Sequence, residues 1–131
     1  MKNVSWKGVY PAVLTPFTGD DTIDYNMFEK NIQAQIDAGI DGIILGGSLG
    51  EASTLSNNEK NDLLVYTKKM VEGKLPVVMN IAEQSTSDAV QAANEAEKKG
   101  ADDVMLWPPM RYKGDDKETV EFFKTVAKNT S

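Results

Sequence analysis

Cysteine and histidine are both missing from the 131 residues of this chain. Without cysteine there are neither disulfides nor thiolate metal sites. Without histidine, the commonest general base and the commonest transition-metal ligand are lost together. Acid–base chemistry therefore falls to tyrosine, lysine, carboxylates or hydroxyls, and neither a metal nor a cofactor is expected. Basic residues are also in deficit, with 14 Lys and Arg against 20 Asp and Glu and a formal charge of −6. That balance argues against nucleic acid or an anionic membrane surface as a partner. No apolar run approaches the ~20 residues of a membrane span. The opening Met1-Lys2-Asn3-Val4-Ser5-Trp6 has no apolar signal core, so a cytoplasmic location is the expectation.

What is present is ordinary for a soluble globule, with 40% hydrophobic and 26% charged residues. Such a chain buries one core, and residues 1–131 read as a single domain.

The most informative stretch is Ile43-Ile44-Leu45-Gly46-Gly47-Ser48-Leu49-Gly50-Glu51. A branched apolar run stops at two glycines, a hydroxyl and a third glycine, with a helix-start signal soon after. Gly46, Gly47 and Gly50 lack a Cβ, so positive φ and close backbone approach are open to them. Ser48 offers a hydroxyl, and free N–H groups in a loop entering a helix suit a carboxylate or phosphate. The same spacing also fits a plain strand-to-helix turn. A nucleotide loop is disfavoured, since neither Gly-x-x-x-x-Gly-Lys-Ser/Thr nor Gly-x-Gly-x-x-Gly occurs here.

Along the chain the same grammar recurs. Residues 8–17 read as a first strand, with Pro11 and Pro16 near its ends. Asp24 then caps a helix with Tyr25, Phe28, Ile32 and Ile36 on one face, closed by Gly39. Residues 40–45 form a strand apolar enough to be covered on both faces. Ser56-Asn57-Asn58-Glu59 is a capping box, opening a helix with Leu63, Tyr66, Thr67 and Met70 inward and ending at Gly73. A strand at 75–81, a cap at 85–88 and a helix with Ala89, Ala92, Ala93 and Ala96 follow, ending at Gly100. The last unit is a strand at 101–107, then Asp115-Asp116-Lys117-Glu118 and a helix expected to turn Val120, Phe123, Val126 and Ala127 inward. Gly39-Ile40-Asp41-Gly42-Ile43-Ile44-Leu45 and Gly100-Ala101-Asp102-Asp103-Val104-Met105-Leu106 repeat one pattern two units apart. The fold class is α/β, with four βα units and parallel strands. A small open doubly wound sheet and half of an eight-fold barrel both satisfy this, a whole barrel needing about 250 residues.

Pro11-Ala12-Val13-Leu14-Thr15-Pro16-Phe17, the loop Gly47-Ser48-Leu49-Gly50-Glu51 with Thr54-Leu55-Ser56 and Glu59, and the Gly100-Ala101-Asp102 entry to a strand ending in prolines resemble the dihydrodipicolinate synthase and N-acetylneuraminate lyase family. These motifs run in order along essentially the whole chain. The resemblance implies four staves of a TIM (β/α)8 barrel, an N-terminal half, from enzymes that are usually tetramers. It also implies class I aldolase or lyase chemistry through a Schiff base between lysine and pyruvate or another small 2-oxo acid. The family's Gly-Thr-Thr-Gly-Glu or Gly-Ser-Thr-Gly-Glu loop binds the substrate carboxylate and supports a proton relay. Ser48 matches its first hydroxyl, whereas Leu49 replaces the second and has only its backbone N–H to offer. The carry-over thus assigns substrate binding to Gly47, Ser48, Leu49 and Gly50, with Ser48 as relay support. In the synthases a Pro-Tyr-Tyr segment sends a tyrosine across a subunit interface; here Met110 and Arg111 fall on the two tyrosine positions, and Tyr112 comes one step late. Arg111 and Tyr112 are therefore the interface candidates.

The family's fifth-strand tyrosine and sixth-strand Schiff-base lysine lie beyond the stretch that these residues match. Lys60, Lys68, Lys98, Lys113, Lys117 and Lys124 read as solvated helix faces or loops, and none stands in for that lysine. The chain by itself is expected to be inactive. With four staves, both sheet edges and the inner face lack partners, so self-association is expected, two copies closing a barrel with two-fold symmetry. Two other readings remain from the residues: a non-catalytic half-barrel scaffold whose main property is homodimerisation, and an anion-binding module using the glycine loop.

Overall fold

The computed structural model describes residues 4–130; the first three residues of the Met1 to Trp6 segment, and Ser131, lie outside them. Seven elements follow in order: α1 (Tyr25–Asp37), β1 (Ile43–Leu45), α2 (Asn57–Val71), β2 (Val77–Ile81), α3 (Thr86–Lys98), β3 (Asp103–Leu106) and α4 (Asp116–Lys128). The strands are parallel and lie side by side in the order β1-β2-β3. A parallel bridge between Ala12 and Ile44 sets the opening segment on the free side of β1. Space therefore follows sequence without a reversal. A doubly wound sheet requires a switch point; successive staves of a barrel do not, and this arrangement is a half barrel.

The first strand is much shorter than residues 8–17. The ladder at Ala12 is real, with Ile44 N–H donating to the Pro11 carbonyl at 3.0 Å and Val13 N–H to the Ile44 carbonyl at 3.1 Å. One step earlier the parallel pattern needs an N–H at position 11, and proline has none. The strand is cut to a single bridge for that reason.

The helix starts follow the expected caps. Asp24 accepts from Met27 N–H, Ser85 accepts from Asp88 N–H, and Ser56–Glu59 and Asp115–Glu118 are both reciprocal capping boxes. Gly39, Gly73 and Gly100 end their helices at positive φ. One side of the sheet (Ile43, Leu45, Val77, Met79, Ile81) packs on Phe28, Ile32, Leu63, Leu64, Ala89, Ala93 and Ala96. The central strand β2 is buried at every residue, whereas β3 is only half-buried throughout.

The last helix is rotated from expectation. Phe122 and Val126 are its buried residues, while Val120 and Phe123 are 50% and 37% exposed and Ala127 is exposed. Val126 is thus the one of the four expected residues that is buried. The apolar stripe on α4 is wider than the side that meets its main neighbour, α3, so part of the stripe stays exposed. Periodicity gives the stripe, but not which part of it meets a partner.

Candidate functional site

The site forms where β1 ends. Gly46 takes φ +66, and its carbonyl accepts from Asn80 Nδ2 at 2.8 Å. This ties the loop to the end of β2. Gly50 has an ordinary φ but no room: a Cβ there would lie 2.9 Å from the Val13 carbonyl oxygen. Buried Thr15 donates through its hydroxyl to the Gly50 carbonyl at 2.8 Å. Gly47 needs neither explanation, since a Cβ there would meet only Ala12 Cβ at an ordinary 3.7 Å. Of the three glycines, one supplies the turn and one the close approach.

Within the loop, Gly50 N–H and Ala52 N–H donate to the Gly47 carbonyl and Glu51 N–H to the Ser48 carbonyl. The N–H groups of Ser48 and Leu49 take no part in these bonds, and both residues are exposed. Two adjacent backbone donors beside a serine hydroxyl can hold a carboxylate. These donors belong to a tight turn rather than a helix end, because α2 starts only at Asn57 and its first turn is occupied by the Ser56–Glu59 box. Hydrogen bonds from the Ser56 hydroxyl and backbone N–H hold the Glu59 carboxyl below the usual range. That carboxylate is committed to the cap.

The loop overlooks a cavity of about 720 Å³ at the C-terminal ends of β1 and β2, lined among others by Gly46, Ser48, Ser56, Lys60, Asn80 and Glu83. Lys60 was expected on a solvated face. Its side chain is instead 19% exposed, with Nζ 3.5 Å from the Glu83 carboxylate. Lys68 likewise departs from expectation: it pairs with buried Asp102. Lys98, Lys113, Lys117 and Lys124 are exposed as expected. Asn80 is 6% exposed, and its Oδ1 is closed to solvent and has no hydrogen-bond partner. Among the described residues, no three or more acidic side chains gather as a metal-ligand set.

Met110, on the first of the two tyrosine positions, lines the same cavity. Arg111 is exposed and donates its N–H to Gln84 Oε1 at 3.3 Å. Tyr112 is 82% exposed and borders a separate pocket of about 280 Å³ with Pro108, Pro109 and Phe122. The structure thus places Met110 on the cavity that Ser48 also lines and leaves Tyr112 apart. Asn80, Lys60 and Glu83 were missed in the sequence. Asn80 alone carried a signal, as the one polar residue in Val-Val-Met-Asn-Ile.

A further cavity of about 600 Å³ lies at the opposite end of the sheet, against Gly8, Tyr10, Asp41 and Asp102. Asp41 accepts from Val9 N–H and Asp102 from Val77 N–H. Carboxylates so engaged serve the fold, and ligands of parallel βα folds bind at the C-terminal ends of strands.

A model of the dihydrodipicolinate synthetase family matches residues 5–131. A 4-hydroxy-tetrahydrodipicolinate synthase of Kosmotoga olearia is 33% identical over 124 residues, covering 95% of this chain and 42% of that protein. The crystal structure of dihydrodipicolinate synthase from Aquifex aeolicus superposes with a TM-score of 0.88 at 28% identity, over 96% of this chain and 43% of that one. A prophage protein of the dihydrodipicolinic acid synthase family from E. coli K12, solved in complex with pyruvate, gives a TM-score of 0.89 at 26% identity, over 95% of this chain and 42% of that one. The chain spans about two fifths of the length of the curated relatives it matches, their N-terminal part. No helix among the described residues is long and apolar enough to cross a membrane.

Proposed function

Because this chain belongs to the dihydrodipicolinate synthetase family, we propose that it carries the carboxylate-binding half-site of a cytoplasmic, Schiff-base-forming 2-oxo acid aldolase or lyase, with pyruvate as the simplest ligand. The observation that carries this reading is the pair of N–H groups at Ser48 and Leu49, free of the loop's own bonds at the C-terminal end of β1. Gly46 and Gly50 shape that turn, and the Ser48 hydroxyl stands beside it as a third donor and relay support. The covalent step requires an amine that can lose its proton. Lys60, which lines the cavity, is engaged by the Glu83 carboxylate at 3.5 Å. The reacting lysine is therefore assigned outside these residues, and this stretch alone is inactive.

Incubation with pyruvate and borohydride, followed by intact mass and peptide mapping, tests the assignment. An unchanged mass together with saturable pyruvate binding is expected. A reduced adduct on Lys60, or on any lysine of this chain, would overturn the assignment, and absence of pyruvate binding would overturn the half-site itself.

A second reading is favoured by Val120, Phe123 and Trp107, exposed at 50%, 37% and 48%, and by the half-buried edge strand β3. In it the chain acts through homodimerisation, with a second copy covering these surfaces and Arg111 and Tyr112 at the contact. Sedimentation across concentrations separates the two: a monomer at high concentration removes this second reading.

A further inference from the structure

Two helix sides of the half barrel have no neighbour among the described residues. On α4, Val120, Phe123 and Ala127 are exposed beside the buried Phe122 and Val126. On α1, Tyr25 and Glu29 meet Tyr66 of α2, while Phe28 and Ile32 are buried in the core. With about 100° of turn per residue, Met27, Asn31, Ala34 and the C-cap residue Ala38 fall on the side opposite α2. Met27, Ala34 and Ala38 are exposed, and Asn31 is half-buried. Neither stripe carries a charge, so neither adds to the repulsion between two copies of net charge −6. One stripe is bulky and the other mostly small, which lets a helix pair built from them pack closely.

The rims supply a register. Asp116 and Lys124 border the α4 stripe, and Lys30 and Asp37 border the α1 stripe with the signs in reverse order, each pair spaced by about two helical turns. All four are exposed, and none has an ion-pair partner among the described residues. Set side by side and parallel, the helices bring Asp116 to Lys30 and Lys124 to Asp37. The same register sets Val120 and Phe123 against the turn from Ala34 to Ala38.

We infer that α4 of one copy docks on α1 of a second copy through these stripes and rims. The sheet is open to match: the segment at Ala12 pairs only with β1, and β3 only with β2. Beneath the docked helices, β3 of one copy continues the parallel ladder into the Ala12 edge of the other. Four staves take up half of an eight-stave ring, so this head-to-tail contact closes after two copies and is made twice about a two-fold axis. The inference rests on the homodimer reading given above and names the face that covers α4.

Sedimentation of the full chain and its variants across concentrations tests it. The native chain is expected to dimerise. Lys124→Asp is expected to weaken the dimer about tenfold, since both junctions lose an ion pair and gain a repulsion, and adding Asp37→Lys restores it. Phe123→Asp and Ala34→Asp are each expected to weaken the dimer more than Lys124→Asp does, with far-UV circular dichroism showing that the helices are kept. A contact of α4 with α4 responds to Phe123→Asp but not to Ala34→Asp. A dimer indifferent to Ala34→Asp, or one that Asp37→Lys fails to rescue, overturns the inference while homodimerisation stands. A monomer at every concentration overturns both.

Discussion

Asp102 accepts the backbone N–H of Val77 at 2.9 Å, fastening the entry of β3 to the first residue of β2. Asp41 accepts Val9 N–H at 2.7 Å in the same way, two staves earlier. The repeated Gly-x-Asp pattern thus has a physical purpose. An aspartate just before each of these strands supplies the acceptor that the neighbouring strand needs where the ladder has not yet begun.

The two aspartates differ in burial, and their removal should differ in cost. Asp102 is 5% exposed and also holds Lys68, while Asp41 is exposed. Asp102→Ala should cost about 3 kcal/mol by stranding a partly buried ammonium and an N–H. Asp41→Ala should cost about 1 kcal/mol. Urea denaturation measures both, and equal losses would contradict the assignment.

The glycine loop separates space from turn geometry. Gly50→Ala drives a Cβ to 2.9 Å from a backbone oxygen and should cost about 2 kcal/mol through strain. Gly47→Ala, with ordinary room, should stay within about 0.5 kcal/mol. Thermal melts of the two variants decide; comparable destabilisation would show that the loop needs Gly47 for some other reason.

Asn80 tests the tether between β2 and the loop. Asn80→Leu leaves the Gly46 carbonyl unpaired but also removes the orphan Oδ1, for a net cost of about 1 kcal/mol. Asn80→Asp puts a buried charge against that carbonyl and should cost about 3 kcal/mol or more. A milder effect of aspartate than of leucine, read from chemical denaturation, would be inconsistent with the buried amide described.

The capping box at the start of α2 carries a pH dependence of defined sign. The Glu59 carboxyl is held below its ordinary range by hydrogen bonds from Ser56. A depressed folded value means that the carboxylate's contribution is fully present above the ordinary value and is lost as pH falls through the lowered one. Amide chemical shifts of Ser56 and Glu59 should therefore hold steady down to the ordinary carboxylate range and move only below it. In Ser56→Ala the Glu59 titration should return upward; titration at the same pH in both proteins would refute the cap as the cause.

Much of this was legible in the residues. Asp24, Ser56, Ser85 and Asp115 announce helix starts through local hydrogen bonds, which depend on a few neighbours only. Phe28, Ile32, Leu63 and the alanines of α3 face inward because each helix with a sheet beneath it has a single apolar side. Legibility failed where a partner decided the outcome. The inward face of α4 depends on where its main neighbour, α3, lies. The half-burial of Lys60 depends on where Glu83 falls after β2. Tyr112 has the right chemistry for a site residue, yet it is Met110 that lines the cavity beside the glycine loop. The first strand was misjudged for a different reason: Pro11 was read as marking an end, whereas its missing N–H interrupts the ladder itself.

The unbroken agreement between chain order and strand order bears on how the molecule is made. As the polypeptide leaves the ribosome, each strand emerges next to a predecessor that is already available for pairing. The ladder from Ala12 through β1 and β2 to β3 can therefore grow in one direction, adding a strand and its covering helix at each step. Synthesis itself then orders the assembly, and every finished stave is the template for the next.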